Sequence, residues 1–470
     1  MFGKSSALAV TCAAFASVAL AQTSPLPPPG TQALAHDMLK QIVSIDTVHD
    51  HGTRPAAEAL YQRALAAGFA RDDVTLLTIP EHPEQAQVIV RLRAKGAKTR
   101  PVLWIGHLDV VEAKPEDWSV DPFALTEKDG WWYGRGSLDM KGEDVAALAA
   151  LIQLKQEGFV PRRDLVLAFT SDEESGDANG VDWLLRTHRD LIDAGLVINP
   201  DAGGGAYRNG RRLYYGVQTS EKIYVTFQLE TTNPGGHSSV PEPDNAIYRL
   251  AAGLGRIAAY RFPVETNATT RDYFAKTGAM ATAQEAADLA AMSRSPPDPA
   301  AAARLSANAV NNARLRTTCV ATQLSGGHAE NALPQRARAV IQCRIMPADT
   351  EAAVRQQLVD ALADPQIAVT TLWAAVPAIE SPPEPALMQS FTQAIHAEWP
   401  GVTVLPSMDL GASDSVYTRA AGLKSYGLAS IWSDIDDNRA HGRDERIAPA
   451  AFYEGVAFDY RLMKVLGGAK

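Results

Sequence analysis

Cysteine is scarce in this chain of 470 residues. Only Cys12, Cys319 and Cys343 occur. Three are too few for a disulfide scaffold, and none stands in the CxxC spacing of a thiolate zinc site. Basic charge is also short: 44 Lys and Arg face 54 Asp and Glu, a net charge of −10. No basic stripe interrupts this balance. That argues against nucleic acid as a partner, because such binding works by displacing counterions from phosphates. Long apolar runs are missing too. No segment has the ~20 strongly apolar residues of a membrane span. No internal repeat and no long low-complexity tract is visible.

What is present suits an enzyme-sized folded protein. Hydrophobic residues make up 46% of the chain, enough for large cores in two or three domains. Residues 1–21 carry one early Lys4, a small apolar middle and the ending Ala19-Leu20-Ala21. They read as a secretory signal cleaved before Gln22, so the expectation is an exported, periplasmic or secreted protein. Residues 22–30, containing TSPLPPPG, read as an extended lead-in.

The chemistry gathers around residues 164–175, DLVLAFTSDEES. Its apolar half has the pattern of a strand buried on both faces. Three acids then follow without a break, Asp172, Glu173 and Glu174. Acids crowded at a buried strand end repel one another and resist desolvation, and a divalent cation relieves both costs. Taken alone, DEE reads as a solvated acidic loop. The other ends of apolar runs change that balance. The run 102–105 is followed by Gly106-His107-Leu108-Asp109, and the run 196–198 by Asn199-Pro200-Asp201. His107 is a candidate metal ligand, and Asp109, two residues on, is the acid that would orient it. In open α/β sheets, sites form outside the carboxyl ends of strands. His107, Glu173, Glu174 and Asp201 each follow such an end. Asp139, in the glycine-rich GRGSLDMKG, stands just before a helix and alone reads as an N-cap or turn residue.

The pattern changes after Ser220. A strand at 222–231, a helix at 246–259, strands at 315–324 and 336–346, a helix at 351–362 and a strand at 367–372 predict the order βαββαβ, the ferredoxin-like arrangement. An irregular insertion at 261–311 interrupts it. The domain reading is therefore a catalytic domain in two parts, 31–220 and 374–470, around an inserted unit at 221–373. Cys319 and Cys343 fall on two of the inserted strands. If these pair as a hairpin, the cysteines lie opposite each other; the expectation is nonetheless two buried thiols, because cross-strand pairs rarely have good bridge geometry. The last histidine of interest is His441, in AHGRDE.

GHLDVV, GRGSLDMKG, SDEESG, the Asp of NPDAGG, GGHSS and AHGRDE, in this order, resemble the motifs of a di-zinc metallopeptidase family. That family includes aminoacylases, carboxypeptidase G, carboxypeptidase S and succinyl-diaminopimelate desuccinylase. The resemblance runs from about Thr31 to near the end, and the insertion is most similar to the carboxypeptidase S-like branch. It implies an α/β catalytic domain with helices around a mixed sheet, plus an inserted ferredoxin-like lid or dimerisation domain.

By the same resemblance, two zinc ions per chain are bridged by Asp139. His107 and Asp201 complete one ion, Glu174 and His441 the other, and Glu173 is the general base. Asp at 201, where aminoacylase-like members often carry Glu, leans toward peptidase activity. His237, in GGHSS, would stabilise the oxyanion, often from a partner subunit. Arg344 would clamp a substrate carboxylate, with Asn331 and Gly411 lining the cleft. The implied substrate is a small peptide or an N-acyl amino acid, in carboxypeptidase, dipeptidase or deacylase fashion. A non-catalytic exported binding protein on the same frame is the competing class, and Glu173 tells against it: a structural metal site has no use for a spare acid.

Overall fold

The computed structural model describes residues 26–468; the signal segment lies outside them. The described chain begins with Leu26, and Pro29 and Gly30 already belong to the helix Pro29–Val43. The lead-in is thus shorter than expected, with proline in the first helical turn, where its missing N–H costs nothing.

Four short runs form the centre of a mixed sheet: Leu165–Thr170, Val102–His107, Leu196–Asn199 and Ser425–Gly427. They lie side by side in that order, all parallel. Every residue in them is buried, which explains their lack of alternation. Val102, Trp104, Leu165 and Leu167 pack against Pro29–Val43, Lys141–Gln156 and Pro449–Leu466. Leu103, Ile105, Val166 and Ala168 face the other way, onto Trp183 and Leu184 of the helix Gly180–Thr187. An antiparallel hairpin, Val74–Ile79 with His82–Leu92, closes one edge. At the other side Arg211–Glu221 pairs with Gly204–Arg208 and, in parallel, with Thr403–Asp409.

A second sheet holds Thr318–Gly326, Arg336–Ile345, Ile223–Thr232 and Ala368–Thr371, in that order and antiparallel throughout. With the helices Ala246–Ala259 and Glu351–Leu362, this is the ferredoxin-like arrangement. Alternate residues Val225, Phe227 and Leu229 point into its own core with Leu250 and Leu358. Tyr224 therefore faces the opposite way.

The insertion at 261–311 is more regular than its sequence implies. It folds into Ala268–Thr277, Ala283–Met292, Pro299–Leu305 and Ala309–Leu315, and the side chains of Asn267, Thr282, Asp298 and Asn308 accept an N–H at the respective N-termini. Phe274, Leu289 and Leu305 pack with Leu405 and Tyr214, so the insertion lies along the flank of the catalytic sheet.

The expectation of two free thiols is wrong: Cys319 and Cys343 form a disulfide. Cys319 is the direct cross-strand partner of Cys343, with Cα atoms 4.1 Å apart. This is the close-approach position of an antiparallel pair, where the side chains come nearest. The register, which the sequence left open, decides the pairing. Titration of the unfolded, unreduced protein should accordingly detect neither thiol. Two reactive groups at these positions would contradict the pairing.

Candidate metal centre

The parallel strands deliver their carboxyl ends to one edge of the sheet. His107 is the last residue of its strand, Glu173 and Glu174 follow Thr170, and Asp201 follows Asn199. Adjacent strands thus bring together residues far apart in sequence. Gly106 is required here, because a Cβ would lie 2.0 Å from Oδ1 of the buried Asp144.

Asp139 sits at the middle of the cluster. Its Oδ1 is 3.4 Å from His107 Nε2, and its Oδ2 is 3.1 Å from His441 Nε2. Asp201 Oδ1 stands 3.8 Å from His107 Nε2, and Glu174 Oε1 2.9 Å from His441 Nε2. Ligand atoms of His107, Asp139 and Glu174 all fall within 4.8 Å of one another. The five residues thus form two groups, each with one imidazole and one carboxylate, sharing the two oxygens of Asp139. Nitrogen and carboxylate donors at this spacing fit zinc-type cations.

Asp109 acts differently from its expected role. His107 Nδ1 meets the backbone carbonyl of Asp109 at 3.0 Å, whereas the nearest carboxylate oxygen is at 3.6 Å. The carboxylate instead accepts the N–H of Glu174 at 3.0 Å. One residue thereby fixes the ring of His107 and the backbone of Glu174.

Electrostatics mark the cluster as starved of positive charge. Burial pushes Asp201 up to about 7, aided by the charges of Asp139 and Glu174. Burial, then the charges of Asp201, Asp414 and Glu174, raises Glu173 well above its ordinary value. Burial lowers the His107 imidazolium, but Asp139 and Asp201 together outweigh it and the net shift is upward. Hydrogen bonds with Asp139 and Glu174 lift His441 to about 10. Burial of Asp139 is likewise outweighed by its two histidines, and its carboxyl falls below the usual range. A divalent cation would supply the missing positive charge directly.

Several supporting residues were not singled out by sequence reasoning. Glu445 is fully buried. Its Oε1 accepts the N–H groups of Leu138 and Asp139 at 2.7 and 3.0 Å, and its Oε2 accepts from Gly136 N–H at 3.1 Å and Arg135 Nη1 at 2.6 Å. Arg135 Nη2 also donates to the carbonyl of Gly442 at 3.0 Å. The pair therefore ties the Asp139 turn to the His441 loop. Both residues lie within the motifs GRGSLDMKG and AHGRDE, but no spacing rule connects positions 310 apart. His49 meets the buried Asp172 carboxylate at 2.7 Å. Asp172 and His441 both adopt left-handed backbone, φ 60 and 62, the kind of local strain that collects at functional sites.

The cluster opens into a cleft of about 1050 Å³ between the two sheets. Arg344 and Gly411 line it, as do Tyr224, Trp373 and Tyr417. His237 and Asn331 do not. They sit together on an exposed turn of the inserted unit, where Ser238 N–H donates to the Asn331 carbonyl and His237 Nδ1 meets Ser239 Oγ at 2.7 Å. A second cavity, about 770 Å³, is bounded by the insertion helices and is remote from this chemistry.

The chain is similar to several known proteins. The chain is 28% identical over 394 residues to the N-fatty-acyl-amino acid synthase/hydrolase PM20D1 of Bos taurus, covering 79% of this chain and 75% of that protein. It is 26% identical over 388 residues to the probable carboxypeptidase S-like 2 of Dictyostelium discoideum, covering 78% and 71%. Its fold superposes on the M20 family metallo-carboxypeptidase Sso-CP2 of Sulfolobus solfataricus with a TM-score of 0.71, covering 92% of this chain and 99% of that one at 16% identity. Residues 103–465 match the sequence pattern of Peptidase family M20/M25/M40, and the chain belongs to that family of metal-dependent hydrolases.

Proposed function

We propose that this protein is an exported hydrolase that binds two zinc ions and cleaves the amide bond of small peptides or N-acyl amino acids. The observation that carries the reading is the Asp139 carboxylate, with one oxygen toward each histidine and a further acid beside each. His107 and Asp201 would hold one ion, Glu174 and His441 the other, with Asp139 between them. When bound, the ions supply an acidified water and polarise the scissile carbonyl. Glu173 receives the proton of the attacking water and passes it to the leaving amine nitrogen. Arg344 takes the substrate's free carboxylate. The name of the Bos taurus relative favours N-acyl amino acids; the carboxypeptidase S-like relative favours peptides. Both contain the same bond, and a deacylase would use the same groups.

Replacing His107, Asp139 or His441 by Ala should lower zinc content and turnover together, from about two ions per chain in the replete protein. Elemental analysis and a panel of dipeptides and N-acyl amino acids, with zinc and with chelator, provide the measurement. Full zinc occupancy in all three variants would remove the assignment.

His237 is proposed to serve the partner subunit of a homodimer. It is exposed and outside its own cleft, and the edge strand Thr318–Gly326 leaves Val320 and Leu324 exposed. An open apolar edge of this kind suits pairing with a second copy. On this reading His237→Ala lowers turnover ~10²–10³-fold with metal retained. Mixing Glu173→Ala and His237→Ala chains should restore activity, since one site then has both groups. No recovery despite demonstrated subunit exchange would place His237 outside the partner's reaction.

A further inference from the structure

On the side of the inserted sheet that looks onto the cleft, Arg344 and Tyr224 are joined by Trp373, which lies just past the strand Ala368–Thr371. Arg344 and Tyr224 are direct cross-strand partners, and the guanidinium lies 4.6 Å from the Tyr224 ring centre. Among the described residues no carboxylate or carbonyl hydrogen-bonds this guanidinium. It lines the same cleft as Glu173. Tyr224 remains 48% exposed and Trp373 66% exposed, and both line the same cleft. The core of the inserted unit takes Val225, Phe227 and Leu229 from the other face of the Tyr224 strand, and Trp373 is not among its residues. Large exposed aromatic surface in a concave site is the usual mark of a binding subsite.

We propose that Tyr224 and Trp373 form a subsite for the side chain of the substrate residue that bears the free carboxylate, and that this side chain is large and apolar. The inference rests on the hydrolase reading above. In an N-acyl amino acid or a peptide cut at its last residue, the carboxylate belongs to the leaving amine half. Anchoring that carboxylate on Arg344 places the adjoining α-carbon beside Tyr224, because the ring and the guanidinium are stacked. The side chain on that carbon then meets the aromatic surface rather than the acids around Asp139. Acidic side chains are disfavoured, because the carboxylate of Glu173 lines the same cleft.

The test holds the acyl group constant. N-Acetyl derivatives of Gly, Ala, Leu, Phe and Asp are compared by kcat/KM in the zinc-replete wild type and in Trp373→Ala, Trp373→Phe and Tyr224→Ala. The wild type should prefer Phe over Gly by roughly tenfold or more, the scale of filling an apolar pocket. Either alanine variant should draw that ratio toward one, mainly through KM for Phe, while Trp373→Phe keeps most of it. A ratio taken within one variant is insensitive to a fraction of misfolded protein. A wild-type ratio near one, or a ratio unchanged in both alanine variants, overturns the subsite while leaving the hydrolase reading intact. Failure of the wild type to cleave any of these substrates, or dipeptides, removes both.

Discussion

Glu173→Ala should retain its bound metal and lose turnover by roughly 10²–10⁴-fold, the usual worth of a positioned general base. Glu173 differs from its neighbour Glu174 in one respect. Glu174 is engaged by His441 and, through its N–H, by Asp109. No hydrogen bond or ion pair among the described residues occupies the Glu173 carboxylate, although it lines the cleft beside the cluster. Burial and surrounding negative charge raise its proton affinity. The loss should fall on kcat and kcat/KM alike, because the interaction belongs to the transition state. Zinc content measured on the same sample separates this outcome from loss of metal. A rate near that of the wild type would mean that another group takes the proton.

Glu445→Ala is expected to damage both stability and metal binding. The carboxylate receives four donors in a fully buried setting, among them the N–H of Asp139 and the guanidinium of Arg135. Removing one member of a buried ion pair costs about 3–5 kcal/mol, because the other charge is left uncompensated. The remaining N–H groups of residues 136, 138 and 139 would also lose their acceptor. The turn that presents Asp139 should then loosen, and zinc affinity should fall. Glu445→Gln, which keeps an acceptor oxygen but no charge, should lie between. Urea unfolding and zinc titration of the two variants provide the check. Wild-type zinc affinity in Glu445→Ala would show that the Asp139 turn is held by other means.

The history of individual residues shows where sequence reading reaches its limit. His107, Glu173, Glu174 and Asp201 were legible because each follows a buried apolar run, and fully buried parallel strands leave that signature. Asp139 read alone as a cap or turn residue, and only the ordered set of motifs implied more. His237 and Asn331 stood in recognisable motifs, yet the fold places them on an exposed turn away from the cleft of their own chain. Tyr224, on a strand, and Trp373, just past one, give no signal, because an aromatic residue in such a place looks the same whether it faces a core or a cleft. The disulfide escapes sequence reading for a related reason: the pattern marks the cysteines' strands but not their register.

The sequence by itself determined the family, the alternation of apolar runs and helices, the ferredoxin-like order of the inserted unit, and the chemical kinds of residue that the site uses. Those are local or ordered properties, written in periodicity and motif. Tertiary structure decided which strands are neighbours, and so which of the distant acids and histidines share Asp139. It also decided the pairing of Cys319 with Cys343, the coupling of Glu445 to a turn some 300 residues earlier, and the surface that faces the cleft. These depend on strand order, register and side-chain direction, which long-range packing sets and no local pattern records.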